Sequence, residues 1–328
     1  MTEPSRSALE HRRTLVTGGT GIVGGWLIHE LLNLKADVVA LIRDEPANAE
    51  IIRSGDIGRV TRVRGALEDG RLLQRILVEY DIELVFHLAA QTQVVTADRE
   101  PLGTLEANVR GTYNLLDAAR RQATPPAIIV ASSDKAYGPS ITLPYTEAHP
   151  LAGRGIYDAS KSAADLIASA YATTYGLPIA IARCGNIYGG GDLNWDRLVP
   201  GTIRALLMGE RPVLRSDGRP RRDYLYVADA VRAYLGMGEA LLAGAIAGEA
   251  FNFGNNHPVS VLEIVDELRS IVGRPDLEPI VLGGARSEIP DQYLDASKAT
   301  THLGWRPAYD LHDGLVRTVA WYRELLAG

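Results

Sequence analysis

Residues 13–24 constrain the fold more than any other stretch of this chain. Arg13-Thr-Leu-Val-Thr17 reads as a short buried strand, and it runs straight into Gly18-Gly-Thr-Gly21-Ile22-Val23-Gly24 and the apolar-periodic run Trp26 to Leu34. A strand that turns on glycines into a helix aims the positive end of that helix at the turn, where a pyrophosphate can sit. Gly18 permits the tight turn, Gly21 lets the backbone approach the phosphates, and Gly24 lets the helix pack closely on the strand. A glycine pattern alone carries little; here it lies in the strand-turn-helix context that a dinucleotide site requires. Gly18, Gly21, Ile22, Val23 and Gly24 are therefore the expected cofactor cradle, against the competing reading of a glycine-rich turn that holds nothing.

Beyond the turn, short apolar runs alternate with longer helical patterns, the signature of a parallel sheet covered on both faces. Strands are expected near 13–17, 37–42, 60–64, 83–87, 126–131 and 178–183. Helices should fill most of 22–34, 69–79, 104–121 and 157–175. After residue 184 the rhythm breaks at Gly189-Gly-Gly191, Pro200, Pro212 and Asp217-Gly-Arg-Pro-Arg-Arg222. Residues 226–242 again read as helix and Ala250-Phe-Asn-Phe253 as strand. With 328 residues, the expectation is a doubly wound α/β domain over 12–184 and about 225–258. A smaller α/β substrate domain would then occupy 185–224 and 259–328.

A net charge of −6 argues against nucleic acid or an anionic membrane as a non-specific partner, so an anionic substrate must be held by local groups. No apolar run reaches bilayer length, and residues 1–12 are too polar for a secretory signal. The single cysteine, Cys184, excludes an internal disulfide and reads as a packing residue at a strand end. A cytoplasmic location is expected. No His, Cys and carboxylate cluster has metal-ligand spacing.

Chemistry is suggested first by Tyr157-Asp-Ala-Ser-Lys161, whose helical spacing puts a phenol and an ammonium on one face. A free tyrosine loses its proton near pH 10, and a fixed cation beside it would stabilise the phenolate. On its own the spacing equally describes an exposed helix pair. Together with the glycine spacing, two residues between each pair, it resembles extended short-chain dehydrogenase/reductases. The resemblance runs from about residue 12 to the C-terminus through His87-Leu-Ala-Ala90, Asn108-Val-Arg-Gly-Thr112, Ser132-Ser-Asp-Lys-Ala-Tyr-Gly138, Arg183-Cys-Gly-Asn-Ile-Tyr-Gly189 and Arg222-Asp-Tyr-Leu-Tyr-Val-Ala-Asp229.

The resemblance implies a Rossmann sheet, a tightly bound NADP or NAD, and a nucleotide-diphosphate hexose as substrate. Ser133 would bond the substrate oxygen that Tyr157, with Lys161, deprotonates. Asp134-Lys135 is similar to the pair in CDP-glucose-type 4,6-dehydratases, where many dehydratases carry Asp-Glu, and the chain as a whole also resembles the GDP-mannose type. There Asp134 would act as the acid on a departing C6 hydroxyl and Lys135 as base or proton relay at C5. The alternatives are a C4 epimerase, which needs only Ser133, Tyr157 and Lys161, and a non-catalytic cofactor sensor on the same fold.

At the end of the second strand, where an acidic residue selects NAD, the family's aspartate position falls on Ile42. Arg43 follows as in NADP-binding members, while Asp44 could still turn onto a ribose. Ala66 stands where an aspartate usually meets adenine, leaving Asp69 or backbone groups. By the same resemblance Leu67, Leu88, Ala89, Ala90 and Asn108 join the cofactor contacts. Gln91, Asn186 and Arg222 join the substrate contacts, with Arg222 as the diphosphate clamp and Arg219 and Arg221 as loop charges. Asp223 and Asp229 are expected to position the loop and cap the helix near 227, His87 to be a satisfied scaffold residue, and Trp305 a buried anchor. Tyr137 is either a neighbour of the sugar or a core aromatic. A homodimer is expected by analogy through the helices at about 104–121 and 157–175. Alanines 163, 164, 168 and 170 suit close packing there, or burial against the chain's own sheet.

Overall fold

The computed structural model describes residues 7–284 and 289–327. The reading of residues 1–12 as too polar for a signal falls partly on 1–6, outside the described residues.

Six strands form in the expected places: β1 (Arg13–Thr17), β2 (Asp37–Ile42), β3 (Thr61–Arg64), β4 (Leu84–His87), β5 (Ala127–Ser133) and β6 (Ile179–Cys184). Ala250–Phe253 returns to pair with β6, giving a seven-stranded sheet in the order Ala250–Phe253, β6, β5, β4, β1, β2, β3. Every pairing is parallel. Such strands must be covered on both faces, which is why β4 and β6 are buried at each residue and apolar except for His87 and Arg183, both of which are hydrogen-bonded.

Helix α1 (Ile22–Asn33) and the helix Val227–Leu242 cover one face, where Leu27, Ile28, Leu31, Val231 and Met237 share a core. The helices Gly70–Glu79, Gly111–Arg120 and Ile156–Tyr175 cover the other, through Leu73, Ile76, Leu115 and Ala168. Ala164 and Ala168 are buried within the chain itself. The chain winds from β1 to β3 in one direction and restarts at β4 on the far side of β1. A crevice opens at such a reversal, at the carboxyl ends of β1 and β4.

The continuous helix expected over 104–121 is interrupted. A helix over Pro101–Leu105 passes into a π-helical turn, Glu106–Arg110, before Gly111–Arg120 resumes. Asn108 and Thr112 account for the widened turn. The Asn108 side chain is committed to Gln91 and Ser160, and Thr112 Oγ1 donates to the Asn108 carbonyl at 2.6 Å. Gly111 has no room for a side chain, since a Cβ would lie 2.6 Å from Leu67 Cβ.

After Cys184 the elements are short. Asn186–Tyr188 pairs with Tyr224–Tyr226, and Arg221–Arg222 lies between Val259–Ser260 and Asp291–Gln292. The helices Leu198–Leu207, Val261–Val272 and Leu311–Ala327 build a separate core around Ile203, Leu206, Ile264, Leu268, Val319 and Tyr322. Trp305 is buried as expected, with its indole N–H on the Asp229 carbonyl and its ring edge-on to Phe253 at 5.0 Å. Asp223 and Asp229 position loops by accepting backbone N–H groups of Asn255 and Leu294, and of Ala308 and Tyr309. Neither caps the helix Val227–Leu242, whose N-cap is Tyr226 with no side-chain bond. Among the described residues no helix is long and apolar enough to cross a membrane.

Candidate active site

A cleft of about 790 Å³ opens at the carboxyl ends of the strands, walled by the glycine turn, β5, the helix Ile156–Tyr175 and the segments after Cys184. Its volume is that of a small-molecule site. The glycine turn has the shape its sequence predicts. Gly18 is left-handed, at φ +76°, and a Cβ there would lie 2.8 Å from the Ala89 nitrogen; at Gly24 it would lie 2.1 Å from the Gly18 carbonyl oxygen. Helix α1 starts at Gly21 with no side-chain cap and no acidic residue in its first turn. Its leading N–H groups therefore face the cleft without a side-chain acceptor among the described residues, a fit for the pyrophosphate of a dinucleotide.

At the far end of that turn Ile42 is apolar and 1% exposed, while Arg43 and Asp44 stand on the rim, Arg43 Nε donating to Asp44 Oδ2 at 2.7 Å. Ala66, Leu67 and Glu68 line the wall. Asp69 does not: it caps the helix Gly70–Glu79, accepting from the Leu72 N–H at 3.0 Å. Leu88, Ala89, Ala90 and Gln91 lie on the wall as expected.

Asn108 is placed differently from its expected cofactor contact. It is buried behind the wall, accepting from the Gln91 N–H at 2.7 Å and donating to the Gln91 carbonyl and to Ser160 Oγ. Ser160 Oγ in turn donates to the Tyr157 carbonyl. His87 joins the same chain between Thr17 and Thr112. Because the Thr112 hydroxyl already donates to Asn108, its oxygen accepts from Nε2–H, leaving Nδ1 to accept from Thr17. Burial, reinforced by the Lys161 charge, pulls His87 down to about 3, so it is a neutral scaffold residue.

The end of β5 brings the proton-transfer groups together. Ser133 Oγ donates to Asp134 Oδ1 at 3.0 Å and accepts from the Lys135 N–H. Asp134 is 1% exposed, and its Oδ2 has no hydrogen-bond partner among the described residues. Burial raises its pKa against the opposing pull of Lys135, Ser133 and Arg222, favouring the protonated acid. Lys135 lies on the wall, and its ammonium donates to Gln292 Oε1.

Tyr157 and Lys161 both line the cleft, but the expected lowering of the phenol by the ammonium is not what burial leaves. Lys161 Nζ donates to the Ala131 carbonyl at 2.9 Å. Tyr157 is pushed up to about 12, desolvation outweighing the help of Arg197 and the Ser133 hydroxyl. Lys161 itself is brought down by burial to about 8.

On the substrate side Asn186 is on the wall, together with Arg197 and Arg215, which carry ion pairs to Asp192 and Asp196. No spacing or motif in the sequence marks either arginine. Arg222 is not on the wall. It is 6% exposed, with Nη1 on the carbonyls of Arg221 and Pro290. Arg221 forks onto Asp291 and Arg219 is exposed, both loop charges. Tyr137 is a core aromatic: it is buried, stacks on Tyr145 at 4.9 Å and bonds Asn252. Cys184 is buried and its thiol raised to about 12 by desolvation, which keeps it from acting as a nucleophile.

Residues 14–254 match the model of the NAD dependent epimerase/dehydratase family. The chain is 31% identical to the CDP-glucose 4,6-dehydratase of Salmonella typhimurium, over 97% of this chain and 92% of that protein. It is 33% identical to the dTDP-glucose 4,6-dehydratase of Streptomyces antibioticus, over 94% and 92%. Among solved structures it superposes on the dTDP-glucose 4,6-dehydratase of Streptomyces venezuelae with NAD and TYD bound, at TM-score 0.87 and 31% identity, covering 95% and 97% of the two chains. It also superposes on the UDP-glucose 4-epimerase of Thermotoga maritima with UDP-glucose, at TM-score 0.86 and 29% identity, covering 96% and 99%.

Proposed function

This chain belongs to the NAD dependent epimerase/dehydratase family, and on that premise we propose that it is a nucleotide-sugar 4,6-dehydratase, converting an NDP-hexose to the NDP-4-keto-6-deoxyhexose and water. The observation that carries the reading is Asp134, a carboxyl buried behind the cleft wall between Ser133 and Lys135, which line it, with one oxygen held by Ser133 and the other without a hydrogen-bond partner among the described residues. A proton donor kept neutral in this way suits the departure of a hydroxyl as water. A C4 epimerase has no such step.

When bound, the nicotinamide dinucleotide supplies hydride transfer, out of C4 at the start and into C6 at the end. With Lys161 and the positive ring of a bound nicotinamide offsetting the burial that raises it, Tyr157 as phenolate would take the proton of the C4 hydroxyl, while Ser133 donates a hydrogen bond to the same oxygen. The C4 ketone makes the C5 proton acidic, and Lys135 removes it. Asp134 protonates the C6 hydroxyl, the C6–O bond breaks, water leaves and a C5–C6 double bond forms. C5 regains a proton as C6 becomes a methyl group, so the only net loss is one water.

Arg43 on the rim and the apolar Ile42 in the ribose-selecting position favour NADP over NAD. Gln91, Asn186, Arg197 and Arg215 would meet the nucleotide sugar, with residues 185–224 and 259–328 as its binding domain. Arg222 would reach a diphosphate only by leaving its backbone acceptors. A homodimer through the helices Gly111–Arg120 and Ile156–Tyr175 is supported by the outward Tyr113 and Leu166. The test is to identify the bound dinucleotide by mass and then offer CDP-, GDP-, UDP- and dTDP-hexoses. Loss of one water from one of them, without net cofactor reduction, is expected. Unchanged mass with a new C4 stereoisomer would make the protein an epimerase and leave Asp134 a scaffold residue.

A further inference from the structure

The helix Val227–Leu242 turns an apolar stripe to the sheet, with Ala230, Val231, Met237 and Leu241 all buried. Tyr234 stands in the same stripe and breaks its chemistry. It is 2% exposed, its ring meets Phe86 edge-on at 6.5 Å, and it reaches the cleft wall at the end of β6 together with Cys184. A phenylalanine would fill the same space save for the oxygen, so the hydroxyl has to be accounted for: a buried O–H that bonds nothing is destabilising. Its one hydrogen-bond partner among the described residues is the Cys184 thiol, a weak group that donates to the phenol oxygen at 4.0 Å. The phenol hydrogen is left over. Burial, with Cys184 and Tyr157 close by, pushes the phenol well above its usual range, so Tyr234 keeps its proton and stays a donor.

The nearness of Tyr157 says which part of the cleft this is. The glycine turn takes the pyrophosphate, and the ring that exchanges hydride belongs beside the sugar carbon that Ser133 and Tyr157 serve, at the ends of β5 and β6. Apart from its ribose, that end of the dinucleotide carries one hydrogen-bonding group, the carboxamide. We propose that Tyr234 is a further cofactor-binding residue, whose O–H donates to the carboxamide carbonyl of the bound dinucleotide and holds the nicotinamide ring in one rotation. This rests on the dinucleotide reading of the cleft and not on the dehydratase reading, since an epimerase needs the same ring in the same place.

Tyr234→Phe removes the oxygen and keeps the packing. Calorimetric titration of the full-length protein compares the dinucleotide that the wild type carries with ADP-ribose or its 2′-phosphate, which has every part of that molecule except the nicotinamide ring. The variant is expected to bind the dinucleotide about tenfold more weakly and ADP-ribose as tightly as the wild type does. The acetylpyridine analogue of the dinucleotide, which keeps the carbonyl and lacks the amide nitrogen, should lose the same factor. Unchanged dinucleotide affinity overturns the proposal. So does an equal loss on ADP-ribose, which would make Tyr234 structural, or an acetylpyridine affinity that the substitution leaves alone, which would put the contact on the amide nitrogen. If the wild type binds neither dinucleotide nor ADP-ribose, the dinucleotide reading fails and the proposal with it.

Discussion

Replacing Lys161 by methionine should make the protein more stable at neutral pH while removing its activity. Lys161 is 7% exposed, and burial lowers it from 10.5 to about 8. At pH 7 both folded and unfolded chains carry the ammonium, and the folded chain bears its desolvation, roughly 3 kcal/mol for a shift of this size. Between pH 8 and 10.5 the folded state releases its proton while the unfolded state keeps its own. The unfolded state then binds more protons, so the free energy of unfolding of the wild type rises across that window. The variant has no such group and shows no such rise. Loss of the bond to the Ala131 carbonyl takes back about 1 kcal/mol, leaving a gain on the order of 2 kcal/mol for Lys161→Met at pH 7. For a chain of this length that is about 3 °C in Tm. The gain should vanish at about pH 9.5 and turn into a deficit of about 1 kcal/mol by about pH 10.5, where only the lost bond to the Ala131 carbonyl remains. Calorimetry of both proteins at pH 7, 9 and 10.5 checks it. A variant less stable than wild type at pH 7, or a difference that does not change with pH, would refute the reasoning.

Asp134→Asn should leave C4 oxidation visible as transient nicotinamide absorbance while water loss, followed by product mass, falls about a hundredfold or more; equal loss of both steps would assign Asp134 to structure. Gly24→Ala forces a Cβ to within 2.1 Å of the Gly18 carbonyl oxygen. It should abolish dinucleotide binding by calorimetric titration, and retained affinity would show that the turn yields more easily than its packing implies.

What was legible in the sequence was what lies close along the chain. The glycine turn, the end of β5 and the Tyr157–Lys161 helix each place their groups within a few residues, so spacing alone put them on one wall. Asn108 could not be read this way: the side chains and backbone that claim it lie 17 and 52 residues away, and they convert an expected helix into a π-helical turn. Asp69 is ambiguous in the sequence because a helix cap and an adenine contact ask for the same residue type, and only the fold shows that the Leu72 N–H takes one of its oxygens. Arg222 has the chemistry of a phosphate clamp, yet it does not line the cleft, and its Nη1 lies on the carbonyls of Arg221 and Pro290. Tyr157 shows a further limit. The sequence revealed its cation but not the burial that outweighs it.

The buried chain from Thr17 through His87, Thr112, Asn108 and Ser160 to the Tyr157 carbonyl ties the strand that ends in the glycine turn to the residue that carries the phenol. Every link belongs to one side of the cleft, and His87 stays uncharged across the pH range in which an enzyme works. The spacing between the phosphate cradle and the phenol is therefore built in when the chain folds, like two jaws machined from one block. Whatever the segments after Cys184 do on meeting a sugar, they adjust the workpiece and not the gauge.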